Sequence, residues 1–280
     1  MIHVVSPDEG TLGTLRILAG ADATRGHYFA FESETAPSTA GSALDVHAHS
    51  AYDESEYVLT GLREIVIEEQ RWEARAGFFA LAPRHALHGM RTIGSEQSRW
   101  IHFFSPAGIE SYFRERERLR ERGATADELR ALSVQHGASA PASPVVAVEP
   151  AYSSSGTEVI ATGRDTRDAY ALAERTTLPR EVHTHADQEE AFYVIDAELI
   201  VEAEGNTTRL GAGSFALIPR GLPHRHVIAQ GGRVLAVYSP GHALQHAMNQ
   251  DAPPAVNAWP GATEPRAASV NGLASQSLLR

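Results

Sequence analysis

The sequence predicts an all-β fold built as two similar units, and three observations predict it. The first is an internal repeat: His47-Ala48-His49, Glu54 and His88 reappear as His183-Thr184-His185, Glu189 and His224. The intervals His47 to His183, His49 to His185 and His88 to His224 are identical, and Glu54 to Glu189 falls one position short of them. A near-constant period of this kind marks duplicated units. The second is a text of short apolar runs, such as Glu64-Ile65-Val66-Ile67-Glu68 and Gly77-Phe78-Phe79-Ala80-Leu81-Ala82, bounded by glycine, proline or charged turns. Many short strands at regular spacing make a barrel or a sandwich. The third is length: 280 residues, divided by the repeat, leave each unit long enough to bury a core of its own.

Along the chain, strand-like text runs from about residue 12 to 104 and changes at Pro106. Residues 108–122 carry many helix formers, with Ile109, Tyr112, Phe113 and Leu119 available to pack. Thr125 with Glu128 at the third position after it is a capping-box pattern that opens a second helix, running to about Gln135-His136-Gly137. The Arg/Glu run at 114–122 reads as a solvated helix face. Strand-like text resumes in the second unit, and the two units end alike in Phe104-Ser105-Pro106 and Tyr238-Ser239-Pro240. The expected organisation is therefore a first domain over 1–106, a helical connection and linker over 107–150, a second domain over 151–250 ending in a short helix, and an extended or disordered tail over 251–280.

Composition narrows the function. The formal charge is −11, and no Lys/Arg cluster lies outside the helical segment, which argues against nucleic acid or anionic membrane as a partner. With no cysteine there is no disulfide, thiolate nucleophile or thiolate-bound zinc. The N-terminus lacks the basic start and apolar run of a signal peptide, and no stretch approaches the roughly 18 apolar residues of a spanning helix. The expectation is a soluble, cytoplasmic protein.

The repeated residues carry the chemistry. On a strand, residues i and i+2 share a side, so His47 with His49, and His183 with His185, face one interior. A carboxylate slightly further on and a histidine much later in each unit can join them from neighbouring strands. Three imidazoles and a carboxylate suit Fe, Mn, Ni, Co, Cu or Zn. The predicted ligands are His47, His49, Glu54 and His88, and His183, His185, Glu189 and His224, for up to two divalent ions per chain. Such sites leave positions open for water or substrate. His85, His102 and His226 read as rim or core histidines, with partnership to the ligands as the alternative. Tyr57, Phe78, Phe79, Phe192, Tyr193 and Phe215 read first as core, and second as a wall for an aromatic substrate.

These residues resemble the cupin family in its two-domain, or bicupin, arrangement. Gly41, His47, His49, Glu54 and Gly61 match the family's first motif throughout, and Gly213, Pro219, Gly221 and His224 match its second. Thr177 and Asp196 stand where the second unit should have motif glycines, and His85 stands for the inner glycine of the first. The resemblance implies two β-barrel (double-stranded β-helix, or jelly-roll) domains with a helical inter-domain connection. More narrowly, the chain resembles quercetin 2,3-dioxygenase-like bicupins, also in Gly108-Ile109-Glu110-Ser111-Tyr112-Phe113 and Glu128-Leu129-Arg130-Ala131-Leu132. That implies a divalent metal held by three histidines and a glutamate, with Glu54 and Glu189 as both ligand and base. The substrate would be a flavonol or a related aromatic or enolic compound, cleaved with O2 and released with loss of carbon monoxide. The same ligands would also serve an isomerase, cyclase or decarboxylase acting on a small sugar, acid or polyketide, or a non-catalytic small-molecule-binding bicupin. Pairing through sheet edges would give a homodimer.

Overall fold

Strand Asp53–Thr60 shows how one segment serves two cores. Tyr57 and Leu59 face the other half of the molecule, while Val58 faces the interior of its own half. Strand Glu189–Asp196 repeats the arrangement, with Ala191 and Tyr193 toward the other half and Phe192 and Val194 inward. Alternation is what the two-residue period of a strand demands. Because both faces are buried there, the apolar stretches Tyr57-Val58-Leu59 and Ala191-Phe192-Tyr193-Val194 run without a polar interruption.

The computed structural model describes residues 1–39, 42, 44–139, 152–154 and 159–243. Gly41, the linker from 140 to 150 and the tail over 251–280 lie outside the described residues. Of the short helix expected up to 250, only the 3-10 turn Gly241–Ala243 is described.

Each half is a sandwich of antiparallel sheets, so the chain is all-β in the bicupin arrangement. In the first half, a seven-stranded sheet in the order Tyr152–Ser154, Phe79–Ala82, Asp53–Thr60, Ser98–Ser105, Phe29–Thr35, Leu15–Ala19, Thr11–Leu12 accompanies the three-stranded sheet His88–Thr92, Leu62–Ile67, Gln70–Arg75. The second half has a six-stranded sheet, His3–Val5, Phe215–Ile218, Glu189–Asp196, Arg233–Ser239, Ala171–Arg175, Val159–Ala161, with Asn206–Gly211, Glu198–Ala203, His224–Ile228 as its three-stranded companion. The two larger sheets share one apolar core, in which Tyr28, Tyr57 and Phe103 meet Tyr170, Leu172 and Tyr193.

The topology crosses the domain boundaries expected at 106 and 151. His3–Val5 belongs by sequence to the first half but pairs with Phe215–Ile218 of the second. Tyr152–Ser154 pairs in return with Phe79–Ala82 of the first. Each half therefore lends its leading strand to the other, covering an edge that would otherwise stand open. Among the described residues no helix is long and apolar enough to cross a membrane.

The connection is helical, as expected. Helix Glu110–Glu121 buries Phe113 against Phe29, Phe31 and Phe104. Helix Ala126–Gln135 starts on the anticipated capping box of Thr125 and Glu128. The charged run is not wholly solvated: Glu117 is buried and paired with Arg116 and Arg120.

Candidate functional site

Backbone pairing assembles both histidine clusters. His47 and His88 form an antiparallel bridge with N···O distances of 2.9 and 2.8 Å, and His183 and His224 form its counterpart at 2.9 and 2.9 Å. Each bridge brings a histidine from early in its half against one from much later, and the i+2 rule adds His49 and His185.

In the first cluster, Glu54 Oε2 lies 2.9 Å from His49 Nε2 and 3.1 Å from His88 Nε2. The ring of His47 stands 4.8 Å from that of His49 and 4.7 Å from that of His88. The structure thus brings all four residues expected here within reach of one ion. His102, read from sequence as a rim or core histidine, lies 3.6 Å from Glu54 Oε1 and 3.0 Å from Glu56 Oε2. Glu56 is itself gripped by Arg63 at 2.8 and 2.8 Å, and the Arg63 guanidinium stacks 3.5 Å over Trp100.

The second cluster corrects the expected glutamate. Glu189 does not face the histidines; its carboxylate accepts from Arg220 at 2.6 and 2.7 Å and pairs with Arg25 at 2.7 Å. Glu190 faces them instead, with Oε2 at 3.0 Å from His224 Nε2 and 3.2 Å from His226 Nε2, and Oε1 at 3.3 Å from His185 Nε2. His183 Nε2 lies 3.9 Å from Oε2. The reason is strand alternation: Glu190 shares the inward face with Phe192 and Val194, so its neighbour Glu189 must point to the interface. Glu190 also restores the period, since Glu54 to Glu190 spans the same interval as every histidine pair. The same slip sets Asp196 against Gly61. At the histidine interval from Gly61 stands Ala197, whose φ of 62° matches the 81° of Gly61.

His226 is a further cluster member with no repeat partner, since Met90 stands at the corresponding position of the first half. Its side chain is fully buried. His85 holds φ 73° where Gly221 holds 79°, so it replaces a turn glycine at some backbone cost.

The donor sets suit a cation. His88 places Nδ1 2.8 Å from the Ala86 carbonyl and Nε2 3.1 Å from Glu54; His224 repeats this with Leu222 at 2.8 Å and Glu190 at 3.0 Å. His226 likewise sits between the Pro179 carbonyl at 3.3 Å and Glu190. A neutral imidazole has one N–H and can donate to only one of its two acceptors. A central divalent ion resolves the conflict, because Nδ1 then donates to the carbonyl and the Nε2 lone pair turns to the metal, the usual outer arrangement of such ligands.

Ionisation follows the same contacts. Burial opposes charge on Glu54 and Glu190, but the imidazoles around them outweigh it and hold both carboxyls well below the usual range. Burial pushes His47 and His226 down, favouring the neutral form a ligand needs. For His88, burial is outweighed by the hydrogen bond and charge of Glu54, and its pKa is raised.

A pH prediction follows for metal-free protein. As pH falls through about 4.3, unfolded glutamates take up protons while Glu54 and Glu190 in the folded state do not. The unfolded state then binds more protons, so stability present above that pH is lost below it. Urea denaturation between about pH 5 and pH 3 should show this fall, and Glu54→Gln with Glu190→Gln should flatten it. An unchanged slope in the double variant would contradict the assignment.

A cavity of about 900 Å³ opens onto the first cluster and is lined by His47, His49, Glu54 and His88. That volume is at the upper end for small-molecule sites. Its aromatic wall comes from Phe31, Trp100, Phe104, Tyr112 and Phe113. The aromatics singled out from sequence sit elsewhere: Tyr57, Phe79, Tyr193 and Phe215 fill the shared core, Phe192 fills the second half, and Phe78 packs on the first. The connecting helices close one side through Tyr112, whose hydroxyl meets Ser133 Oγ at 3.0 Å.

Comparison with known proteins agrees with this architecture. A cupin-domain family profile matches residues 174–238. An uncharacterized protein of Streptomyces coelicolor is 33% identical over 72 residues, and the match spans 25% of this chain and 66% of that protein. Among solved structures, the YlbA protein of E. coli, of the DUF861 family, superposes with a TM-score of 0.56 at 10% identity, covering 85% of this chain and 90% of that one. A variant of Bacillus subtilis oxalate decarboxylase gives 0.55 at 14% identity, covering 85% and 77%. Another structure of that decarboxylase, described for its Mn(II) centres, gives 0.53 at 13% identity over the same shares. At these identities the likeness is one of fold.

Proposed function

We propose that this chain, whose residues 174–238 match a cupin-domain profile and whose two-unit fold is similar to that of oxalate decarboxylase, is a metal-dependent dioxygenase of the quercetin 2,3-dioxygenase-like type, cleaving a flavonol or related aromatic or enolic compound with O2. The observation that carries this reading is the His47, His49, Glu54 and His88 cluster at the wall of a large aromatic-lined cavity. A flat phenolic substrate would lie in this cavity against the wall to which Phe31, Trp100, Phe104 and Phe113 contribute. Its hydroxyl would reach the cluster.

His47, His49, His88 and Glu54 would hold the ion in the first half, and His183, Glu190, His224 and His226 in the second, where His226 takes the place expected of His185 and His185 stands beside Glu190 Oε1 at 3.3 Å. When bound, a divalent metal acidifies a coordinated hydroxyl and stabilises the resulting anion. Glu54 Oε2 faces His49 and His88, which leaves Oε1, on the His102 side, to take the hydroxyl proton. A carboxylate held this acidic is a weak base, so transfer requires the hydroxyl to be acidified first. Glu56, clamped by Arg63, fixes the His102 ring beside that oxygen. Four imidazoles around Glu190 leave fewer positions for substrate in the second half, which favours the first cluster as the reaction site.

The test is oxygen uptake with flavonols and other enols. Wild-type protein should consume O2, and Glu54→Gln should lower kcat by at least about 100-fold. Substrate turnover without O2 uptake would instead support an isomerase, cyclase or decarboxylase.

A further inference from the structure

We propose that Arg25 and Arg167 are positioning residues that act across the interface, each holding in place the metal-binding strand of the opposite half. The proposal rests on reading the two clusters as metal sites. A second repeat carries it: Thr24-Arg25-Gly26-His27-Tyr28 and Thr166-Arg167-Asp168-Ala169-Tyr170 share the pattern Thr-Arg-x-x-Tyr, at a slightly longer interval than the histidines.

The two copies adopt one conformation. In each, the threonine hydroxyl donates to the backbone carbonyl of the tyrosine. In each, the arginine has φ 53°, a left-handed backbone that an arginine rarely takes without reason. The Tyr28 and Tyr170 rings meet edge to face at 5.7 Å, so the copies face one another across the interface.

From these turns the arginines cross over. Arg25 of the first half reaches Glu189 of the second at 2.7 Å, and Arg167 of the second reaches Asp53 of the first at 2.7 Å. Asp53 and Glu189 are the residues immediately before Glu54 and Glu190. Both are buried, at 4% and 2% side-chain exposure. Each also takes a guanidinium from its own half, Arg84 or Arg220. The residue after that arginine donates its backbone N–H to the first half's His49 carbonyl, from His85, or to the second half's His185 carbonyl, from Gly221, both at 2.7 Å.

Each buried acid therefore ties three things together: the carboxylate strand, the loop bonded to the His-x-His segment, and the opposite half. An exposed ion pair alone contributes little. Here the acid is buried, so removing one cation leaves a poorly compensated charge beside the metal carboxylate. The strand then shifts where it matters, at the next residue.

The test uses the full chain in two single-site backgrounds. His47→Ala with His49→Ala leaves only the second cluster, and His183→Ala with His185→Ala leaves only the first. Mn(II) is titrated into each, and free Mn(II) is read by its EPR signal. Arg25→Gln should weaken binding at the second cluster by about tenfold, as loss of an outer partner does, and leave the first unchanged. Arg167→Gln should do the reverse. Arg25→Lys and Arg167→Lys, which keep the charge, should show smaller losses in the same crossed pattern and serve where the glutamine variants do not fold. Equal losses at both clusters, losses at the arginine's own half, or no loss would overturn the proposal while leaving wild-type binding intact. A wild-type chain that takes up no Mn(II) would overturn the metal reading and the proposal with it.

Discussion

Glu190→Gln protein, purified without a metal-chelating tag and saturated with metal, binds one divalent ion per chain instead of two, whereas Glu189→Gln protein binds two. The expectation follows from which carboxylate the imidazoles surround. Glu190 lies within 3.0 to 3.3 Å of His224, His226 and His185, and it supplies the negative charge that offsets a divalent ion. Its loss should weaken the second site by more than the roughly 10- to 100-fold typical of an outer partner. Glu189 instead meets the guanidinium groups of Arg220 and Arg25. Its replacement should cost about 1–3 kcal/mol of stability, the range for charged hydrogen bonds, without removing a ligand. Elemental analysis with urea denaturation separates the two effects. Two ions in Glu190→Gln and one in Glu189→Gln would reverse the assignment.

The second large effect is on the interface. Tyr170→Ala should destabilise the protein by about 3–5 kcal/mol, the cost of truncating a fully buried aromatic. Tyr170 stacks on Phe103 at 5.1 Å, meets Tyr28 at 5.7 Å and shares a hydrogen bond with Ser55 across the interface. A cavity at this point touches both halves, so both should melt earlier and together. Val182→Ala, at a position 65% exposed, should change stability by less than about 0.5 kcal/mol. Comparable effects from the two variants, or early melting of one half alone, would contradict a shared core.

Much of this is legible in the residues because the histidine repeat is regular. The i, i+2 pairs and the distal histidines identify six imidazoles that the structure gathers into two clusters. The second carboxylate is missed by one position because Glu189 and Glu190 are adjacent acids and only strand parity separates them. The signal is available: the histidine interval, counted from Glu54, points to Glu190, and the inward apolar residues Phe192 and Val194 share its parity. His226 reads as a rim or core residue because it has no counterpart in the first half. The Thr-Arg-x-x-Tyr repeat escapes notice because its interval differs from that of the ligands. Strand exchange by His3–Val5 and Tyr152–Ser154 is illegible, since such short strands carry too little periodicity to say which sheet they join. The cavity wall is misread for a related reason: alternation puts aromatics on both faces of a strand, and only the packed halves decide which face is solvent-connected.

The most direct test of the central claim, that the chain carries two histidine–glutamate metal sites, is metal content per chain by elemental analysis of untagged protein, before and after reconstitution with Mn, Fe, Co, Ni, Cu and Zn. The account predicts two equivalents of a divalent transition metal at saturation, falling to one with His49→Ala or with His224→Ala and to none with both. No metal taken up from any of these ions, or an unchanged content in the double variant, would contradict it.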